Sequence, residues 1–358
     1  MKLRRPVSLL CAAVLLISSL GVQAQKQTPA TAPAPAVAKR PLTHSDYDSW
    51  RSIQAPQISR DGKFVAYAYV PQDGDGEIIV RNIATGVDWR APRGYRPPVP
   101  PPDDPGANVG EFIEAQGRLL RPVFTADTRF VVFGTEPTKA EVHKAKKEKK
   151  KPEDMPKNGL GIMDLSTGEV TRIEKVKSFR VPEDAGGFIA YQLEAGPAAP
   201  PADKSAAPAD APQPQAPRRP AGKKKEYGTD LVLRNTSTGT ERKFSDVLDF
   251  TISKDAKTLV FTTSARKEET NGVFAVTTSE GDSAPVTLLT GKGKYQRLTW
   301  DEDNTQIAFT SDKEDAEAKQ PKVRVYYWNR KDPQATEVVS VASSGFRKDL
   351  VVSDRANL

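Results

Sequence analysis

With 358 residues, one cysteine, two histidines, three methionines and 30 prolines, the chain lacks the ligands for a zinc centre and the thiols for a disulfide framework. Its proline content argues against a helical bundle. A formal charge of +7 and a hydrophobic content of 37% allow one large or two ordinary domains and only mild attraction for polyanions.

Lys2, Arg4 and Arg5 precede an apolar run over residues 7–20, and Val22-Gln23-Ala24 supplies small residues for cleavage, so residues 1–24 are expected to be a secretory signal. The run is short for a bilayer span, and Cys11 lies near its start rather than its end, which argues against lipid attachment. Loss of the signal leaves an exported chain of about +4 with no cysteine, periplasmic or extracellular and without membrane contact thereafter. Residues 25–41 form a Pro/Ala/Thr linker, expected to be disordered. Thr43 then reads as an N-cap with Asp46 three residues on, and Leu42 and Tyr47 as a hydrophobic staple, which opens a short helix. Tyr47, Trp50 and Ile53 would share one face of that helix and pack on the first group of strands.

From Ile58 onward the chain is a repeat. Its head is Ile58-Ser59-Arg60-Asp61-Gly62-Lys63-Phe64-Val65-Ala66-Tyr67-Ala68-Tyr69: a strand end, an Asp-Gly turn, and an unbroken apolar run that suits a strand covered on both faces. Its tail is Ile78-Ile79-Val80-Arg81-Asn82-Ile83-Ala84-Thr85-Gly86, a strand that ends in a Thr-Gly turn. Heads recur around Asp127, Glu183-Asp184, Asp255 and Asp303. Tails recur at Gly161-Ile162-Met163-Asp164-Leu165-Ser166-Thr167-Gly168, Leu231-Val232-Leu233-Arg234-Asn235-Thr236-Ser237-Thr238-Gly239, Gly272-Val273-Phe274-Ala275-Val276 and Val323-Arg324-Val325-Tyr326-Tyr327-Trp328. Asp61, Asp127, Asp184, Asp255 and Asp303 stand 66, 57, 71 and 48 residues apart, and setting aside low-complexity inserts at 92–106, 137–157 and 195–226 brings these intervals to 51, 36, 39 and 48. Those values bracket the roughly 40–50 residues of a four-stranded propeller blade.

The fold class expected is therefore all-β: a partial β-propeller over residues 42–358, with five blades and Leu350-Val351-Val352-Ser353-Asp354 as the opening of a sixth. It is expected to be incomplete at its C-terminus, with inserts 137–157 and 195–226 disordered. If the head supplies the two inner strands and the tail the third, then residues 71–76, 137–157 and 195–226 project from one rim, joined there by 92–106, while the other rim carries only tight turns. The lysine runs Lys144-Ala145-Lys146-Lys147-Glu148-Lys149-Lys150-Lys151 and Lys223-Lys224-Lys225 fall in these inserts without interleaved aromatics, and read as solvated loop rather than a nucleic-acid surface.

A search for chemistry yields no catalytic, cofactor-binding or metal residues. No Gly-x-Ser-x-Gly elbow occurs, and of the two histidines His44 opens a helix while His143 lies in a lysine-rich insert. Asp73-Gly74-Asp75-Gly76-Glu77 alternates carboxylates like the start of a calcium loop, but lacks the glycine at its sixth position and the distal glutamate. Gly291-Lys292-Gly293-Lys294 lacks the glycine spacing and the hydroxyl residue of a phosphate loop. Glu268-Glu269, in a strand connection, reads as a surface pair.

Residues 41–53, followed by Pro56-Gln57-Ile58-Ser59-Arg60-Asp61-Gly62-Lys63 and the first tail, resemble the amino-terminal region of exported bacterial serine peptidases of the prolyl oligopeptidase family. The single repeat units are shared with other propellers, including the TolB type; the order of helix, head and Thr-Gly tail is the more specific element. The resemblance implies a propeller that gates or docks peptides for an α/β-hydrolase domain carrying a Ser-Asp-His triad, and no catalytic residue of that family maps onto this chain. The family's propellers have seven or eight blades, more than are legible here. The alternative from another class is a stand-alone periplasmic interaction scaffold of the TolB type, with a protein partner across the propeller face. A weaker third reading is a calcium- or polyanion-binding surface protein.

Overall fold

In the computed structural model residues 41–96, 121–195 and 226–353 are described, apart from 280, 282, 283 and 348. All the strands belong to a unit that begins at His44. They form successive antiparallel meanders. Blade one is β1 (Arg51–Ile58), β2 (Phe64–Pro71), β3 (Asp75–Asn82) and β4 (Asp88–Tyr95), hydrogen-bonded in that order. Blade two is β5 (Val123–Phe124), β6 (Phe130–Thr135), β7 (Gly159–Asp164) and β8 (Val170–Glu174). Blade three runs β9 (Val176–Arg180), β10 (Phe188–Leu193), β11 (Thr229–Asn235) and β12 (Glu241–Ile252).

Strand β12 serves two blades. Its first half pairs with β11, from Glu241↔Arg234 to Val247↔Thr229, and its second half pairs with β13, from Val247↔Thr263 to Ile252↔Leu259. The changeover falls at Asp246, which takes φ +58. Blade four therefore comprises the end of β12 with β13 (Thr258–Thr263), β14 (Gly272–Thr277) and β15 (Val286–Thr290). Blade five is β16 (Tyr295–Trp300), β17 (Ile307–Ser311), β18 (Arg324–Trp328) and β19 (Thr336–Val339). Among the described residues this is the five-bladed, all-β propeller arrangement expected from the repeat.

The blades pack face on face, each contact sealed by its own cluster. Phe64, Ala66, Ala68, Ile78 and Val80 of blade one meet Val131, Phe133 and Met163 of blade two. The opposite face of blade two, with Val132, Leu160 and Ile162, meets Val176, Ile189, Tyr191 and Val232 of blade three. Ala190, Leu231 and Leu233 then meet Phe250, Leu259 and Phe261 of blade four, whose Val260, Val273 and Ala275 meet Ile307, Phe309 and Tyr326 of blade five. Hence β6 and β13 are apolar on both faces, as a strand between two layers must be. In β2 the same sort of run is half-covered: Phe64, Ala66 and Ala68 are buried, and Val65, Tyr67 and Tyr69 are partly exposed. The expectation of cover on both faces of β2 is corrected here, because among the described residues only one face of blade one meets another blade.

Four further expectations are revised. The opening helix is only α1 (His44–Asp48), since β1 begins at Arg51, so Tyr47, Trp50 and Ile53 share no helical face and are all exposed. Insert 137–157 is ordered: Thr138 caps α2 (Lys139–Lys147) with a reciprocal Thr138–Glu141 capping box, and a 3-10 turn, Pro152–Asp154, comes after it. Insert 92–106 does not begin at Pro92, which pairs with Glu77 inside β4. Leu350 to Ser353 form no strand, so no sixth blade opens within the described residues. The signal, the linker up to residue 40 and residues 196–225 lie outside the described residues. Among the described residues no helix is long and apolar enough to cross a membrane.

Candidate functional site: the axial channel

The head turns share one hydrogen-bond design. Ser59 Oγ donates to Asp61 Oδ1 at 2.7 Å, the same carboxylate oxygen accepts from Lys63 N, and Ser59 Oγ accepts from Phe64 N. Thr125, Asp127, Arg129 and Phe130 repeat this in blade two, and Ser253, Asp255, Lys257 and Thr258 in blade four. The residue after the aspartate takes positive φ in each, with glycine at 62 but Thr128 and Ala256 elsewhere, so the side-chain network holds a backbone state that threonine and alanine rarely adopt alone. In blade five the acceptor is Asp301, which takes Gln306 N, and not Asp303 as the spacing suggests.

These turns converge around the axis between the inner strands. Arg60 of blade one reaches Asp184 of blade three at 3.3 Å, Asp184 N donates to Lys254 O of blade four, and Lys254 N donates to Asn304 Oδ1 of blade five. Gly186 lies so close to Asp127 that a Cβ there would stand 2.4 Å from its carboxylate. The hairpins thus radiate from a common centre rather than scattering among unrelated layers.

Along that centre run two hollows that share Arg180, Val181, Pro182 and Glu183. One, of about 780 Å³, lies among blades one, two and three; the other, of about 340 Å³, among blades three, four and five. The larger is cationic among the described residues: Arg60, Arg93, Arg96, Arg121, Lys177 and Arg180 line it against Glu136 and Glu183. Arg121 Nη2 donates to Gln57 Oε1 at 2.8 Å, and the Arg180 guanidinium lies over the Phe250 ring at 5.8 Å. Arg93 is 2% exposed and donates to Glu136 at 3.2 Å, and Arg96 holds the other oxygen of the same carboxylate. Burial pulls the Arg93 guanidinium down to about 10, against the Glu136 charge, which supports it. A wall of planar, multiply donating cations is suited to grip carboxylates or peptide carbonyls.

The residues weighed in the sequence lie elsewhere. Asp73 and Asp75 are both engaged by α2: Lys139 Nζ meets Asp73 Oδ2 at 2.5 Å and Lys139 N donates to Asp75 Oδ1. His143 stands edge-on to Tyr95 at 6.5 Å, on the rim, and His44 opens α1. Glu268 is 4.0 Å from Lys292, which also pairs with Glu317 at 3.0 Å, so the glutamate pair and the Gly-Lys-Gly-Lys segment meet on the rim of blades four and five. Lys294 N donates to Asp312 Oδ1, so the backbone donor that a phosphate would need is already engaged by a carboxylate. No motif in the sequence marks the arginine wall. Its members are spread over 120 residues, and the one signal is positional: Arg60, Arg121 and Arg180 each lie on or beside the first strand of a blade.

No family model and no curated protein matches this chain. Solved structures do, at low identity. The acylaminoacyl peptidase of Pyrococcus horikoshii is 11% identical, with a TM-score of 0.36, over 80% of this chain and 39% of that one. Prolyl oligopeptidase B of Galerina marginata is 11% identical, with a TM-score of 0.40, over 87% of this chain and 37% of that one. TolB of Acinetobacter baumannii is 14% identical, with a TM-score of 0.28, over 76% and 56%. The chain thus spans under two-fifths of the two peptidases' lengths, and at these scores the likeness says nothing about activity, substrate or partner.

Proposed function

We propose that this chain is the non-catalytic propeller of an exported peptidase of the prolyl oligopeptidase type, and that its axial channel admits and holds peptides for a hydrolase domain supplied outside the described residues. The observation that carries the reading is the arginine-lined hollow on the axis. Its volume of about 780 Å³ falls within the range of specific ligand sites, and Arg60, Arg121, Lys177 and Arg180 stand on or beside the first strands of blades one to three, where a threading chain would pass them. The order of helix, head and Thr-Gly tail at the amino-terminal side supports the same reading. Peptides rich in Asp and Glu are the preferred occupants, because the guanidiniums of Arg121, on Gln57, and of Arg180, on Phe179 O and the Phe250 ring, are not tied to a carboxylate and can each take one.

Fluorescence polarisation on the purified chain tests this with an acidic peptide and its Gln/Asn counterpart. The acidic peptide binds about tenfold more tightly, and the difference disappears at high salt and in the Arg121→Gln/Arg180→Gln variant. Equal binding of the two peptides sinks the proposal. A fluorophosphonate probe should leave the chain unlabelled, and covalent labelling would overturn the non-catalytic role. A second reading, a self-sufficient scaffold of the TolB type, draws support from the ordered α2 rim, which offers a surface away from the axis. A reading frame that continues past the codon for Leu358 into a Gly-x-Ser-x-Gly elbow would count against it.

A further inference from the structure

The lysine-rich insert of blade two is a built surface. Its helix α2 is capped at Thr138, carries Ala145 on its buried side, and is tied to blade one through Lys139, which bonds Asp73 and Asp75, and through Tyr95 against His143. Tyr95 N also donates to Pro137 O at 2.9 Å. Outward from this anchored side point Lys144, Lys146 and Lys147, and Lys149, Lys150 and Lys151 continue the exposed run past the helix end. Glu148 is the one carboxylate among these residues, and it engages Lys150 at 3.4 Å; among the described residues the other five lysines have no ion-pair partner. Three lysines in the last turn complement the helix dipole. The three beyond it do not serve that purpose.

The same rim bears an aromatic pair. Trp50 is 50% exposed and packs edge-on against Tyr47 at 4.7 Å. It stands beside α2, because Gln72 N donates to Trp50 O and Asp73, the partner of Lys139, donates its N–H to Asp48 O. The helix itself is about 13 Å long, and Lys139 at its start joins it to the segment that holds the aromatic pair. Half-exposed Trp and Tyr next to clustered lysines are the residue types that settle at the headgroup layer of a bilayer, the rings at the polar–apolar boundary and the ammonium groups over anionic headgroups. Nucleic acid fits less well, since no aromatic interrupts the lysine run to stack on bases.

We infer, against the sequence expectation of a chain without membrane contact, that the α2 rim docks the protein on an anionic lipid bilayer, with Lys144, Lys146 and Lys147 over the headgroups and Trp50 seated in the interfacial layer. The axial channel plays no part in this contact, so the inference is independent of the peptidase reading.

The test is co-sedimentation of the full chain with vesicles of phosphatidylcholine alone and of equimolar phosphatidylcholine and phosphatidylglycerol. Binding to the mixed vesicles alone is expected, and it falls at least about tenfold in the Lys144→Gln/Lys146→Gln/Lys147→Gln variant, since each lysine near an anionic surface contributes roughly fivefold. Glutamine keeps the helix propensity of lysine, and an unchanged melting temperature will show that α2 persists. Tryptophan emission should shift to shorter wavelength on binding, and the shift should vanish in Trp50→Phe. No sedimentation with the mixed vesicles, equal sedimentation with phosphatidylcholine alone, or an unaffected triple variant overturns the inference. So does a chain that binds heparin or duplex DNA but not the vesicles.

Discussion

Arg330, in the turn after β18, donates to Asp255 at 3.2 Å and so ties blade five to the head turn of blade four. The same guanidinium also donates to Asn304 O and Thr258 Oγ1, and lies over the Trp300 ring at 5.9 Å. Burial pushes the Asp255 carboxyl up, but the hydrogen bonds from Ser253 and Lys257 and the Arg330 charge more than offset it, and the group is held below its ordinary value. A carboxyl depressed by folding stabilises the native state above its unfolded pKa, near 4, and that stabilisation is lost as the pH falls through the folded value. Asp255→Asn is therefore expected to melt lower than the parent at about pH 7, with the gap closing below about pH 4. Arg330→Ala should cost about 2 kcal/mol at neutral pH in a denaturant melt.

Gly94 sets how closely β4 can approach blade two. It takes φ +97, and a Cβ there would stand 1.8 Å from Glu136 O, a backbone atom that cannot swing aside. Gly94→Ala is expected to cost about 3 kcal/mol or more, through strain and through displacement of Glu136 from Arg93. A denaturant midpoint within experimental error of the parent would show that β4 and β6 are not pressed together in this way.

The repeat was legible in the sequence because each blade restates it in residues that do local work. Asp61, Asp127 and Asp255 anchor their turns through a neighbouring Ser or Thr, and Asn82, Asp164 and Asn235 accept backbone N–H groups in the tail turns. What the sequence hid depends on packing between blades. Whether the run in β2 is covered on one face or two depends on what lies opposite, and nothing within residues 64–69 records that. Helix α2 looked like a solvated lysine run, although Thr138-Lys139-Ala140-Glu141 spells a capping box; the charge masked the cap. The cationic wall of the axis was hidden because its arginines become neighbours only when three blades close on one another.

Position in the stack of blades should decide the cost of an aromatic truncation. Phe261 is 3% exposed between blades three and four, in contact with Phe244 and Phe274 at 5.0 and 5.7 Å. Tyr67 lies on the half-exposed face of blade one. Phe261→Ala is expected to cost about 4 kcal/mol, and Tyr67→Ala about 1 kcal/mol. Thermal or denaturant unfolding of the two variants separates them, and a cost for Tyr67→Ala equal to that for Phe261→Ala would mean that blade one is covered on both faces in solution.

The Arg93–Glu136–Arg96 cluster predicts an asymmetry between its members. Two guanidiniums share one carboxylate in a place where Arg93 is almost wholly shielded from water. Glu136→Gln leaves two cations facing each other in a low-dielectric wall without the anion between them, and removal of one partner from a buried charge group costs about 3–5 kcal/mol. Arg93→Met leaves Glu136 still paired with the more exposed Arg96 and fills the space with a stem of similar length, so its cost should be lower, about 1–2 kcal/mol. Added chloride or sulfate should recover part of the Glu136→Gln loss by screening the guanidiniums, with little effect on Arg93→Met. Equal costs for the two substitutions, with no anion dependence in either, would mean that Glu136 does not hold the wall of the channel together by its charge.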